Sequence, residues 1–278
     1  MSEIKLGFAT SVKLGLSCMK SIYDSGNKLS LVITLPNNIA IKKAGRVFLD
    51  DFCEQHQISL IKSSNINNYD VINEIKKKKI DWLFIIGWSQ IANKEVLSAP
   101  NKGVIGAHPT LLPFGRGRAS IPWAILKKLD RTGVTLFKID NGIDTGPILS
   151  QRIINLEINE NATDLYSKVE KTHALIIQDF LPLLLSDNFD LIPQNETLAT
   201  VWPSRKSEDG EIDLAGSVWS AELLVRAVTK PYPGAFYFKN KKKIIIWKAY
   251  VLDKEPQNKK FLKFKDGFLI LEVYEIEK

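Results

Sequence analysis

From Ile4 to Leu185 the chain alternates short apolar runs with longer amphipathic segments, and that rhythm is buried most simply by a parallel sheet carrying helices on its faces. The pattern predicts strands over Ile4–Ala9, Leu29–Thr34, Ser59–Ile61, Trp82–Ile86, Val104–Ala107, Gly133–Lys138 and Ile148–Ile154. Between them it predicts helices over Lys13–Ser25, Lys43–His56, Asp70–Lys79 and Ile121–Lys128, with a long helix over Ala162–Leu185 to close the series. Asn161 or Thr163 can cap this last helix, and Leu165, Val169, Leu175, Ile176 and Phe180 mark its apolar face. The fold class is therefore α/β, a doubly wound Rossmann-like sheet.

After about residue 190 the rhythm changes. Short strands over Leu198–Trp202, Gly234–Phe238, Lys243–Tyr250, Phe261–Phe264 and Gly267–Tyr274, with one helix over Ser220–Thr229, suggest a small barrel or twisted antiparallel sheet. The expected organisation is thus a larger domain over 1–190 and a smaller, mostly β domain over 191–278, which suits a 278-residue chain.

Composition narrows the classes further. A chain that is 45% hydrophobic and 25% charged is not disordered. No run approaches the roughly 18 apolar residues of a membrane span, and the N-terminus lacks the regions of a signal peptide. The two cysteines, Cys18 and Cys53, form no disulfide framework, so a cytoplasmic protein without membrane partners is expected. The net charge of +7 falls in lysine clusters at Lys76–Lys79 and Lys239–Lys243. These read as a solvated helix end and a solubilising hairpin turn, though they also suit a phosphate-bearing partner.

The chemistry gathers in two segments. One of only three histidines lies in the loop His108-Pro109-Thr110-Leu111-Leu112-Pro113-Phe114-Gly115-Arg116-Gly117-Arg118, where two prolines stiffen the backbone. The other segment is the turn Asp140-Asn141-Gly142-Ile143-Asp144-Thr145-Gly146. Ligands collect at the carboxyl ends of parallel strands, and there the loops Gly87–Gln90 and His108–Pro109 and the turn 140–146 are expected to converge. An imidazole opposed to a carboxylate serves proton transfer and can steady an oxyanion, but Asp and Gly also populate ordinary turns. The remaining histidines, His56 and His173, sit on predicted helices and read as packing or surface residues.

The order His108-Pro109-Thr110-Leu111-Leu112-Pro113 with Arg116-Gly117, Trp123-Ala124-Ile125, Thr132-Gly133-Val134-Thr135 and Gly142-Ile143-Asp144-Thr145-Gly146-Pro147 resembles the core of the folate-dependent formyltransferases. Downstream, Arg226–Phe236 is similar to the start of the C-terminal domain in the methionyl-tRNA and sugar-nucleotide branches. The resemblance implies transfer of a formyl group from 10-formyltetrahydrofolate to an amine, with His108 steadying the oxyanion, Asp144 holding His108 charged and shuttling protons, and no metal. It places the folate against Gly87, Trp88, Ile91, Ile139, Asp140 and Ile143, although Trp88 can equally close the core. Arg116 and Arg118 become candidates for phosphate or substrate contacts, or solvated loop residues. Arg205 and Tyr232 become acceptor-side candidates, or packing residues.

The sugar-nucleotide branch is the nearer resemblance, implying a dTDP- or UDP-linked amino sugar as acceptor, a role in lipopolysaccharide biosynthesis, no stable nucleic-acid partner and a homodimer. The alternatives are a methionyl-tRNA formyltransferase and a catalytically impaired binding protein of the same fold. The second arises because the family usually carries Asn two residues before the histidine, where this chain has Gly106. Losing one such donor costs about 3 kcal/mol of barrier. A nearby backbone amide, a water, Ser89 or Gln90 are the replacements the sequence offers.

Overall fold

The computed structural model describes residues 3–40 and 45–277. The first part of the chain runs β1 (Leu6–Ala9), α1 (Lys13–Asp24), β2 (Leu31–Thr34), α2 (Asn37–Ala40), α3 (Asp50–Gln55), β3 (Ser59–Lys62), α4 (Tyr69–Lys77), β4 (Trp82–Ile85), α5 (Lys94–Leu97) and β5 (Gly103–His108). It continues through β6 (Arg116–Gly117), α6 (Ser120–Leu126), β7 (Arg131–Lys138), β8 (Ile148–Asn155) and α7 (Ala162–Leu185). The last part holds β9 (Val201–Trp202), α8 (Val218–Val228), β10 (Ala235–Lys239), β11 (Lys242–Leu252), β12 (Phe261–Phe264) and β13 (Gly267–Ile276).

Two compact units are present. The first comprises Met1–Arg116, Gly133–Ile154 and Val169–Val201, and the second comprises Gly117–Thr132, Asn155–Lys168 and Trp202–Lys278. Among the described residues of the first unit, seven strands form one sheet in the order β3-β2-β1-β4-β5-β7-β8. β1, β2 and β4 are buried along their whole length, as expected of strands covered by helices on both faces. Phe8 stacks on Phe84 across neighbouring strands with ring centres 5.7 Å apart.

The doubly wound α/β fold is the one expected, but one strand differs in direction. β3, β2, β1, β4 and β5 run parallel, whereas β7 is antiparallel to β5, with Ile105 opposite Lys138 and His108 opposite Thr135. The stretch 139–147 between β7 and β8 holds no helix, and Lys138 N donates to Pro147 O at 2.9 Å across it. This reversal decides how the site is assembled.

The helix expected over Lys43–His56 is shorter. Lys43 and Ala44 lie outside the described residues, and 45–47 bond with 11–13 instead: Lys13 N donates to Gly45 O at 2.7 Å and Val47 N to Ser11 O at 3.1 Å. The helix begins only at Asp50. α7 starts where expected, and of the two candidate caps it uses Asn161, whose Oδ1 accepts from the amides of Thr163 and Asp164 at 2.9 and 3.1 Å. Leu175 departs from the predicted apolar face and is 43% exposed.

In the second unit, β10-β11-β13-β12 form an open antiparallel sheet with a bulge around Trp247. The β10–β11 turn places Asn240 and Lys241 in the left-handed region, at φ 51 and 63°, as a tight hairpin requires. Among the described residues no helix is long and apolar enough to cross a membrane.

His173, on α7, is buried and its Nδ1 lies 2.8 Å from Val169 O, so it is the nitrogen that carries the proton. Burial holds its pKa down to about 4, with His108 adding to that effect and the backbone bond opposing it. Unfolding returns the ring to its ordinary value near 6.5, so the neutral ring supports the fold fully above that pH. The support is lost as pH falls from about 6.5 through about 4, a difference of about 3 kcal/mol. Urea unfolding at pH 7 and pH 4.5 should therefore show a clear acid loss that His173→Gln flattens. Equal acid losses in both proteins would assign the effect to other groups.

Candidate active site

His108 closes β5, and the loop that follows is fixed by buried polar contacts. Thr135 Oγ1, on the adjacent strand, donates to Thr110 O at 2.7 Å and accepts from Leu112 N at 3.1 Å and Gln151 Nε2 at 2.9 Å. Gln151 Nε2 also donates to Leu112 O at 2.8 Å. These bonds satisfy backbone groups that the prolines and the burial would otherwise strand. Residues Thr135 and Gln151 carry no chemical signal of their own in the sequence.

The Asp turn leaves the sheet at the far end of β5. Ile139 N donates to Val104 O at 2.8 Å, four residues before His108 and so about 13 Å from it along the strand. The turn must then double back. Asp140 Oδ1 accepts from Gly142 N at 3.0 Å and Thr145 Oγ1 at 2.7 Å, coiling the turn on itself. A Cβ on Gly146 would lie 1.8 Å from Lys138 O, so only glycine lets the returning chain pass. Asp144 adopts a left-handed conformation, φ 55°, at the apex.

The result is a pair. His108 Nδ1 lies 3.6 Å from Asp144 Oδ2, with both side chains largely shielded. His108 Nε2 lies 2.8 Å from Gly115 O. Since a carbonyl can only accept, Nε2 carries a proton, and both ring nitrogens face oxygen acceptors. The sequence expected three loops to meet at the carboxyl edge; two leave there, and the third arrives by folding back along the sheet.

Arg116 is buried rather than solvated. Its Nε and Nη2 donate to Gln194 Oε1 at 3.1 and 2.8 Å, and its Nη1 and Nη2 donate to the two oxygens of Glu196 at 2.8 and 2.6 Å. The hydrogen bond that Arg116 donates to Glu196 raises the Arg116 pKa, and the same bond lowers that of Glu196. Gln194 and Glu196 were not foreseen, because they sit in an irregular segment where sequence periodicity says nothing.

The folate candidates of the first unit fall into two groups. Gly87, at φ 68°, leads the loop after β4, and Ile91 and Ile143 stay 69% and 62% exposed on their respective loops. Exposed isoleucines on two loops, together with main-chain groups at Gly87, Ile139 and Asp140, suit a flat heteroaromatic ring. Trp88 packs partly buried against the core and donates from Nε1 to Gln90 Oε1 at 3.1 Å. Gln90 is held by the chain around it: its Oε1 also accepts from Ile66 N at 3.0 Å and its Nε2 donates to Ser64 O at 2.7 Å.

Gly106 is not beside an empty space. A Cβ built there would come within 3.0 Å of Ile139 Cδ1, Ile139 Cγ1 and Phe137 Cε1. Apolar atoms therefore crowd any side chain placed at this position.

Arg118, Arg205 and Tyr232 belong to the second unit. Arg118 N donates to Trp202 O at 3.3 Å. Arg205 lies over the Trp123 ring at 5.1 Å and donates from Nη2 to Asp209 O at 2.7 Å. The structure brings Arg205 and Tyr232 together in one cavity of about 120 Å³, with Lys206, Ser207 and Pro233 beside them. Burial is the main cause that raises the Tyr232 pKa, with Tyr166 adding to it.

Comparison with known proteins shows the family of the chain. Residues 19–180 match the family model described as formyl transferase, and residues 205–275 match the one described as formyl transferase, C-terminal domain. The bifunctional polymyxin resistance protein ArnA of Wigglesworthia glossinidia brevipalpis is 33% identical over 238 residues, which cover 86% of this chain and 36% of that protein. The chain thus spans about a third of that relative's length. A methionyl-tRNA formyltransferase of Alkaliphilus oremlandii (strain OhILAs) is 27% identical over 256 residues, covering 91% of this chain and 82% of that protein. Among solved structures, an N-formyltransferase from Helicobacter canadensis, in complex with folinic acid and dTDP-3-aminofucose, superposes with a TM-score of 0.72 at 21% identity, covering 96% of this chain and 98% of that one.

The packing at Gly106 gives a direct expectation. Gly106→Asn forces Ile139 or Phe137 to move and should destabilise the protein by about 1–3 kcal/mol. Adding Ile139→Ala should return part of that loss relative to Ile139→Ala alone. Chemical unfolding of the four proteins measures the coupling, and strictly additive effects would show that the two sites do not compete for space.

Proposed function

The chain belongs to the formyl transferase family, and from that premise we propose that it transfers a formyl group from 10-formyltetrahydrofolate to the amino group of a nucleotide-linked amino sugar. The observation that carries the reading is the His108–Asp144 pair, 3.6 Å apart at the rim of the sheet. When bound, the folate supplies a formyl carbon open to attack by an amine, with negative charge gathering on the formyl oxygen as the new bond forms. Gly115 O takes the N–H on Nε2 of His108, so the N–H offered to that charge would be the one on Nδ1, which Asp144 approaches only to 3.6 Å. Asp144 keeps the imidazole oriented, receives the proton that the amine nitrogen must shed and would return one to the folate nitrogen as its bond to the formyl carbon breaks and tetrahydrofolate leaves. Ile91 and Ile143 flank the pterin, with main-chain groups of Gly87, Ile139 and Asp140 as its polar partners.

An amino sugar as acceptor is supported by the Helicobacter canadensis enzyme, solved with a dTDP-amino sugar, which this chain covers almost end to end. Arg205 and Tyr232, sharing one cavity, are the acceptor-side candidates. Arg118 stays a candidate for the phosphates. Arg116 would act by holding the loop, since Gln194 and Glu196 engage its guanidinium. Catalysis is assigned to the 1–190 region, in a cytoplasmic homodimer.

A second reading, formylation of methionyl-tRNA, is favoured by the Alkaliphilus relative, 82% of which is covered, and by the net charge of +7. The two separate in one assay with 10-formyltetrahydrofolate as donor and either a panel of dTDP- and UDP-amino sugars or initiator methionyl-tRNA as acceptor. An N-formylated sugar nucleotide, detected by mass spectrometry, is the expected product. His108→Ala and Asp144→Ala should each lower kcat/KM by about 10²-fold or more. Turnover on tRNA alone, weakening steeply with salt, would favour the second reading. Unchanged turnover in both variants would remove the pair from the chemistry.

A further inference from the structure

We propose that Gln194 is a positioning residue that holds Asp144 in register with His108. The inference rests on the reading that this pair does the chemistry, and it identifies what sets their separation.

The segment 192–200 is laced to both halves of the site. On one side, Ile148 N donates to Ile192 O at 2.8 Å and Ile192 N donates to Ile148 O at 3.0 Å, which sets the register of the segment against the strand following the Asp turn. On the other side, Gly115 N donates to Thr200 Oγ1 at 2.8 Å, Thr200 N to Pro113 O at 3.2 Å and Arg116 N to Thr200 O at 2.9 Å. Gly115 is the residue whose carbonyl receives His108 Nε2. The anchor of the histidine and the course of the aspartate are therefore tied to one stretch of chain.

Gln194 makes the tie at the reactive end. Its Nε2 donates to Asp144 O at 2.8 Å and to Gly146 O at 2.7 Å, while its Oε1 accepts both Nε and Nη2 of Arg116. Two N–H groups and two lone pairs are all that a carboxamide offers, and here each has a partner. The carbonyl it grips belongs to a non-glycine residue in the left-handed region, a conformation that persists only where its surroundings impose it. Released from that grip, the Asp144 backbone could relax and carry the carboxylate away from Nδ1. Displacements of about 1 Å in such a pair can cost about 10²-fold in rate.

Gln194→Glu separates positioning from simple structural support. A carboxylate keeps the acceptor for Arg116, even adding an ion pair, but loses both donors to the Asp turn. With 10-formyltetrahydrofolate and the best acceptor from the panel, kcat should fall about 10–100-fold, KM should stay within about threefold, and the melting temperature should fall by only a few degrees. Amide hydrogen exchange, read without any ligand, should quicken across 139–147 in this variant and leave the core strands unchanged. Gln194→Ala should do the same with a lower melting temperature.

Full kcat and unchanged exchange in Gln194→Glu, with His108→Ala inactive, would overturn the role of Gln194 and leave the proposed function standing. A fall in kcat accompanied by an equal fall in stability and faster exchange throughout would overturn it too, marking general support. If the wild-type chain formylates none of the acceptors, the functional reading fails, and unchanged exchange of the turn would sink the tie independently.

Discussion

The site depends on the path of one stretch of backbone. Because β7 runs against β5, the Asp turn begins beside Val104 and must return along the sheet before its carboxylate meets the imidazole. Charge attraction does not by itself impose that path, since the 3.6 Å contact is an ion pair only when His108 is protonated. The turn is held instead by Asp140 coiling it from within, by Gln194 gripping its carbonyls and by Lys138 N donating to Pro147 O at 2.9 Å. Bonds of this kind contribute about 1 kcal/mol each. Geometry comes first here, and electrostatics follows from it.

The same reversal brings Ile139 over Gly106. In this protein the strand position two residues before the histidine is closed by the side chains of Ile139 and Phe137. The residue at 106 and the residue opening the Asp turn are consequently one packing problem, and a change at either is felt at the other. The loop after β4 is likewise committed to structure, since Gln90 spends its carboxamide on Ile66, Trp88 and Ser64.

Much of the fold was legible residue by residue. Strands such as β4 and β5 announce themselves as apolar runs, because both their faces are covered and no polar alternation is needed. The start of α7 was legible from Asn161, whose short side chain bonds the first free amides of the helix. The helix over Lys43–His56 was overextended for an opposite reason: its composition suits a helix, but residues 45–47 find backbone partners in 11–13, and a local preference of a few tenths of a kcal/mol per residue yields to such contacts. His108 and Asp144 stood out as unusual residue types in stiff or glycine-bracketed loops.

Neighbours along the chain give the succession of elements, because periodicity, capping and turn chemistry are local properties, and they offer His108 and Asp144 only as candidates. The direction of β7, the backward course of the Asp turn, the closing of Gly106 by Ile139 and the four bonds of Gln194 emerge only in three dimensions. Each of these joins residues far apart in sequence. Strand direction depends on which edge a strand pairs with, and a glutamine in an irregular segment gains its meaning only from the two carbonyls and the guanidinium that the fold sets around it.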